Sequence, residues 1–175
     1  MPRPRRLLAA LLVATAALVV PLSAAAAPAS TTFAIRGFEY GFTPTLGLFA
    51  GSATGSAGDR AAWNAAVEHE QLGAPPPVHI TGGSVWMGTR SSGGSFDFAT
   101  ANFVDQGGTI ETLDPGPGCT NQRYLVSGAL ENVTTSTSSG GTGSFSVTLT
   151  HYRVSIFGRC ITYSASVVGN VTFSY

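Results

Sequence analysis

The chemistry open to this chain rests on few groups: nine acids, nine arginines, three histidines and two cysteines, with no lysine at all. Without lysine there is neither a Schiff-base amine nor the ammonium of a phosphate-cradling loop. A serine nucleophile on a G-x-S-x-G turn is also missing. The nearest stretch, Gly51-Ser52-Ala53-Thr54-Gly55, carries its serine one position early, and the Ser/Gly run of 91–95 reads as a turn. His69, His79 and His151 make neither an H-E-x-x-H nor an H-x-H pattern, so no single element offers two metal ligands on one face. The oxygen-ligand spacing of a calcium loop is absent as well. No metal and no cofactor is therefore expected. Glu68 and Glu70 share one strand face beside His69, a pattern of solvated edges more than of two carboxyls facing one glycosidic bond.

One constellation stands out. Three apolar rows with period two each end on polar residues in the same phase. Phe33, Ile35 and Gly37 lead to Glu39; Trp63, Ala65 and Val67 lead to His69; Phe145, Val147 and Leu149 lead to His151 and Arg153. If the rows face a core, Glu39, His69, His151 and Arg153 gather at its end. A desolvated charge needs a partner, because burying one alone costs several kcal/mol. The four residues then either reach solvent or pair structurally at the core's end, or they form a polar ligand or acid–base site at a mouth. His79, between Val78 and Ile80, falls on the opposite phase and is expected at the surface.

The elements that would position these groups are strands. Alternation recurs in Val78/Ile80, Phe96/Phe98, Tyr124/Val126/Leu130, Ile161/Tyr163/Ala165/Val167 and Val171/Phe173/Tyr175. Side chains that switch sides residue by residue place one face on a core and the other in water. Gly82-Gly83, the run 91–94, Gly107-Gly108, 115–118 and 138–143 read as turns between strands, Gly158-Arg159 as a hairpin, and Pro75-Pro76-Pro77 as a stiff connector. Only 59–72 is two-sided. It has helix formers, a capping Asp59 and a terminating Gly73, yet Trp63, Ala65, Val67 and His69 alternate as in a strand. The fold expected is all-β, a single antiparallel barrel of about eight to ten short strands, with a two-sheet sandwich as the alternative and one short helix near 59–72 allowed.

The N-terminal segment is a targeting signal of bacterial form. Arg3, Arg5 and Arg6 precede the apolar run Leu7–Val20, Pro21 breaks it, and small residues follow. The run is shorter than the roughly 20 residues that span a bilayer. Residues 1–27 are expected to be cleaved, with the end between 25 and 29, leaving 28–175 as one secreted domain exported by the general or the twin-arginine route. In that domain six arginines oppose nine acids, a formal charge of −3. No basic stripe remains to bind nucleic acid, and no further apolar run is long enough to cross a membrane. Cys119 and Cys160, in an oxidising compartment, are expected to pair. They would close a loop of about 42 residues, for which chain entropy gives about 4 kcal/mol.

These readings favour an exported, non-catalytic β-domain that binds a small ligand, an envelope component or a secreted partner. One alternative is a small secreted enzyme using His69 or His151 as acid or base. Another is a structural or interaction protein of the envelope, marked by an exposed apolar patch instead of a pocket.

Overall fold

The computed structural model describes residues 29–175 except 57, 73–75, 91–95 and 115–117. The expected export signal lies outside the described residues, as do the turn at 91–94 and part of the turn at 115–118. Eight strands follow one another: β1 (Ser30–Thr43), β2 (Leu46–Gly55), β3 (Arg60–His69), β4 (Val78–Arg90), β5 (Phe96–Thr112), β6 (Gln122–Thr135), β7 (Gly141–Ile156) and β8 (Arg159–Ser174). Each pairs antiparallel with the next, and β8 returns to β1, so the sheet closes into a barrel.

The alternation decides which way each wall faces. Along β3, Trp63, Ala65, Val67 and His69 are buried, while Arg60, Asn64 and Glu68 are exposed. Val85 and Met87 on β4, Phe145 and Leu149 on β7, and Val167, Val171 and Phe173 on β8 fill the same interior. The interior is thus apolar, where the lumen of a membrane-spanning barrel is polar. Closure leaves no unpaired edge strand, which also removes the row of free N–H and C=O groups that templates aggregation.

The segment 59–72 contains no helix. Its apolar stripe is too thin to bury a helix, whereas the same residues as β3 place an unbroken row on the core. The strands are longer than the turn-like glycines imply, running from 10 to 17 residues. Gly82-Gly83 and Gly107-Gly108 lie within β4 and β5, at register shifts, instead of between strands. Gly83 has φ +107° and a side chain there would collide with the Ala66 carbonyl, so the glycine marks a close strand approach with local twist. Similar slips break the alternation elsewhere. Inward residues of β5 are Ala99, Ala101 and Phe103, which puts Phe98 on the outward phase. A slip at Asn132 (φ +54°) brings Val133 inward after Leu130, and one near Arg153 leaves Ile161 and Tyr163 exposed on β8.

The barrel has two poles. At one, here called the mouth, lie the β1–β2, β3–β4, β5–β6 and β7–β8 connections. At the other, the floor, the chain enters and leaves. There the Tyr175 N–H donates to the Ala29 carbonyl, Thr31 Oγ1 bonds Tyr175 Oη at 3.0 Å, and Phe173 is fully buried. At the mouth, a disulfide joins Cys119 in the β5–β6 connection to Cys160 on β8, with Cα atoms 5.4 Å apart and the two residues separated by 41 in sequence number. The Asp114–Arg123 pair, 3.1 Å but half exposed on both sides, adds little to this clamp. The paired serine variant C119S/C160S is expected to lose about 4 kcal/mol and to melt about 10 °C lower in non-reducing buffer. Differential scanning calorimetry, with the wild type under reductant as the parallel, checks this.

Candidate functional site

The interior is not fully filled. Trp63 lies across the waist, made possible by Gly37, where a Cβ would come within 2.6 Å of Trp63 Cζ2. The indole Nε1–H donates to the carbonyls of Arg36 and Ser52 at 3.2 and 3.1 Å, so the ring is held by the walls it packs on. Around it, Phe49, Val85, Phe103, Val126 and Leu149 help to line a cavity of about 80 Å³. An eight-stranded barrel is just wide enough for its side chains to meet. Among the residues that border this space, Ala65 is the small inward side chain.

Glu39, His69, Tyr124 and His151 form the polar part of that cavity's lining, and the apolar Leu72 from the β3–β4 connection also borders it. Glu39 faces inward opposite Phe49, just before a shift of register toward Gly41. His151 Nε2–H donates to Glu39 Oε2 at 3.1 Å, across the intervening β8, with the two side chains only 14% and 8% exposed. His69 is buried and its Nδ1 lies 2.7 Å from the Glu70 carbonyl. A carbonyl oxygen only accepts, so Nδ1 carries the proton, which leaves Nε2 as the nitrogen that bears the lone pair whenever the ring is uncharged. The edge of the Tyr124 ring meets the His151 ring at 5.3 Å between centroids, and its hydroxyl donates to Gln122 Oε1 at 3.0 Å. Burial pushes the Tyr124 hydroxyl above its ordinary pKa; the Arg153 charge opposes this and Glu39 adds to it.

Of the four residues singled out from the alternation, Glu39, His69 and His151 line one cavity and Arg153 does not. Arg153 stands where β7 slips in register, and its backbone N–H donates to Asn121 Oδ1 at 3.2 Å. Tyr124 was an apolar row member by spacing; its phase with Val126 and Leu130 is the signal that carries it inward. His79, expected at the surface, is half-buried. Its N–H donates to Glu70 Oε2 at 2.9 Å, while its Nδ1 is buried without a hydrogen-bond partner among the described residues. Among those residues no three His, Cys, Asp or Glu groups converge as a metal site. A wider hollow of about 550 Å³ lies at the floor, edged by Asp59, Arg60, Asp97 and Thr135–Thr137. Core side chains Met87 and Phe173 border it on the inner side and polar strand-end and loop residues on the outer.

Fold and site together define a closed, eight-stranded up-and-down β-barrel with an apolar interior void and a polar, partly ionic mouth. Comparison with known proteins finds no matching family model, no similar curated protein and no similar solved structure.

Tyr124 gives a pH signature. Its folded form holds the proton beyond the unfolded value near 10, so the unfolded chain releases protons first as pH rises. Stability is unaffected by this group below pH 10 and falls above it. In alkaline melting curves, Y124F is expected to lose less stability between pH 9 and 11 than the wild type. A second expectation concerns the pair at the mouth. E39A leaves the His151 N–H without its acceptor and should cost about 1–3 kcal/mol, whereas E39L/H151L together should cost less than E39A alone. Urea unfolding of the three proteins measures both.

Proposed function

We propose that this chain is an exported bacterial protein, cleaved near residue 27, that binds a small amphipathic molecule. The ligand's apolar part enters the barrel and its polar end stays among Glu39, His69 and His151. One observation carries the reading: the apolar void walled by Phe49, Val85 and Leu149 also borders on the buried acid–base side chains Glu39, His69 and His151, instead of ending on more aliphatic packing. Desolvated polar groups cost free energy unless they find partners, and their placement at a cavity rim is the usual architecture of a small-molecule site.

The groups also favour a type of head. Glu39 offers a second carboxylate oxygen, Oε1, and His69 offers its Nε2 lone pair; both accept hydrogen bonds. A hydroxyl head can donate its one O–H to either of them, while an ionised carboxylate has no proton to donate and would set like against like. The void of about 80 Å³ is well under the roughly 300–1,000 Å³ of pockets for drug-sized ligands and below the 150 Å³ cavity that accommodates benzene. That favours a slender aliphatic chain over a fused ring system. An extracytoplasmic location is supported by the form of the N-terminal segment and is compatible with the Cys119–Cys160 bridge.

Titration calorimetry and native mass spectrometry of residues 28–175 with an alkan-1-ol series and the matching fatty acids test the proposal at pH 8, above the ordinary imidazole range. Alcohols are expected to bind at least ten-fold more tightly than acids of equal length. A65F, which fills the void, should abolish binding and keep the fold. Equal affinity for both heads overturns the hydroxyl assignment, and binding unaffected by A65F overturns the site. A second reading rests on the Glu39–His151 contact, which orients an imidazole as acid–base enzymes do. In that case the compound recovered from the protein would differ in mass from the one supplied.

A further inference from the structure

The outer wall carries a second feature, independent of the cavity. Of the large hydrophobic side chains exposed among the described residues, nine stand on β1, β7, β8 and the β7–β8 turn, among them Phe38, Tyr40, Val154, Phe157, Ile161 and Val168. Registers bring them together. Val154 pairs with Ile161, and Phe38 and Arg36 pair with Ser166 and Val168 on the same outward face. The patch runs down to the β7–β8 turn at the mouth pole, where Phe157 is fully exposed at the tip.

That tip is built against local preference. Ile156 pairs with Arg159, leaving Phe157-Gly158 as a two-residue turn with φ of +50° and +75°. Positive φ at both positions belongs to the type I′ turn, whose first residue is ordinarily Asn, Asp or Gly. A phenylalanine there is strained, makes no core contact and presents its whole ring outward. Strain kept at an exposed aromatic points to a role for that side chain.

Charge selects the occupant. Glu39 is the only acid on β1, β7 or β8, and it faces the cavity. The exposed outer charges of these strands are therefore cationic: Arg36, beside Val168, and Arg159, beside Ile156. A second copy laid on this face would set arginine against arginine. An anionic lipid surface instead complements the arginines and receives the apolar tip. We infer that the β7–β8 turn and the adjoining outer wall of β1 and β8 form a docking surface for anionic membranes, with Phe157 entering the interface.

The test is vesicle co-sedimentation of residues 28–175, which hold the whole barrel, on phosphatidylglycerol/phosphatidylcholine and on pure phosphatidylcholine. Binding is expected on the anionic vesicles alone and should weaken with added salt. F157N relieves the turn strain, so it should melt no lower than the wild type while losing at least ten-fold in partitioning. R159Q should lose about five-fold at low salt. F157W should shift its emission to the blue on anionic vesicles. No difference between the two vesicle types, or F157N binding as well as the wild type, overturns the proposal. So does concentration-dependent dimerisation in sedimentation velocity that F157N abolishes in the absence of vesicle binding. A65F must bind vesicles as the wild type does, which keeps the outcome separate from that of the cavity.

Discussion

Closure of the sheet between β1 and β8 is the constraint on which everything else rests. Nine consecutive residue pairs, from Ser30–Ser174 to Phe38–Ser166, join the first strand to the last. They turn a meander with two open edges into a ring with none. The ring fixes an interior of one width, and that width makes side-chain size decisive. Where Trp63 meets Gly37 the waist is filled, and beside Ala65 a void survives. Closure also brings Glu39 within reach of His151, since β1 and β7 become near neighbours only because β8 lies between them.

Polar residues at the rim follow from the same geometry. A strand that continues past the apolar layer keeps its phase, so the next inward position faces the mouth instead of more core. Glu39, His69 and His151 occupy such positions on three different strands. Their mutual satisfaction is local and partial: His151 donates to Glu39, His69 donates to the adjacent Glu70 carbonyl, and Tyr124 donates to Gln122. The acceptors left over give the mouth its chemical character. The interior contributes shape and dryness, and the rim contributes polarity.

How far all this was legible in the amino-acid order depends on the length over which period two persists. In β3 it runs unbroken, so the inward row ending on His69 could be read directly, even against helix-forming composition. The rows ending on Glu39 and His151 were legible for the same reason. Reading failed where a strand inserts a residue. Slips near Asn132, Gln106 and Arg153 change the phase with no marker in residue type. Phe98, Ile161 and Tyr163 thus looked like core residues and are not. Glycine pairs misled in a related way, because close strand approach and chain reversal call for the same residue. Barrel closure itself left no local trace: it depends on the first and last strands meeting across the whole chain. The cavity was equally hidden, being a difference between the ring's width and the volumes of side chains distant in sequence.

Entry and exit of the chain at the floor have a practical corollary. Ser30 and Ser174 sit side by side at the pole opposite the rim. A linker, dye or solid support joined next to Ser30 or Ser174 would therefore hold the barrel like a cup by its base, with its opening presented outward.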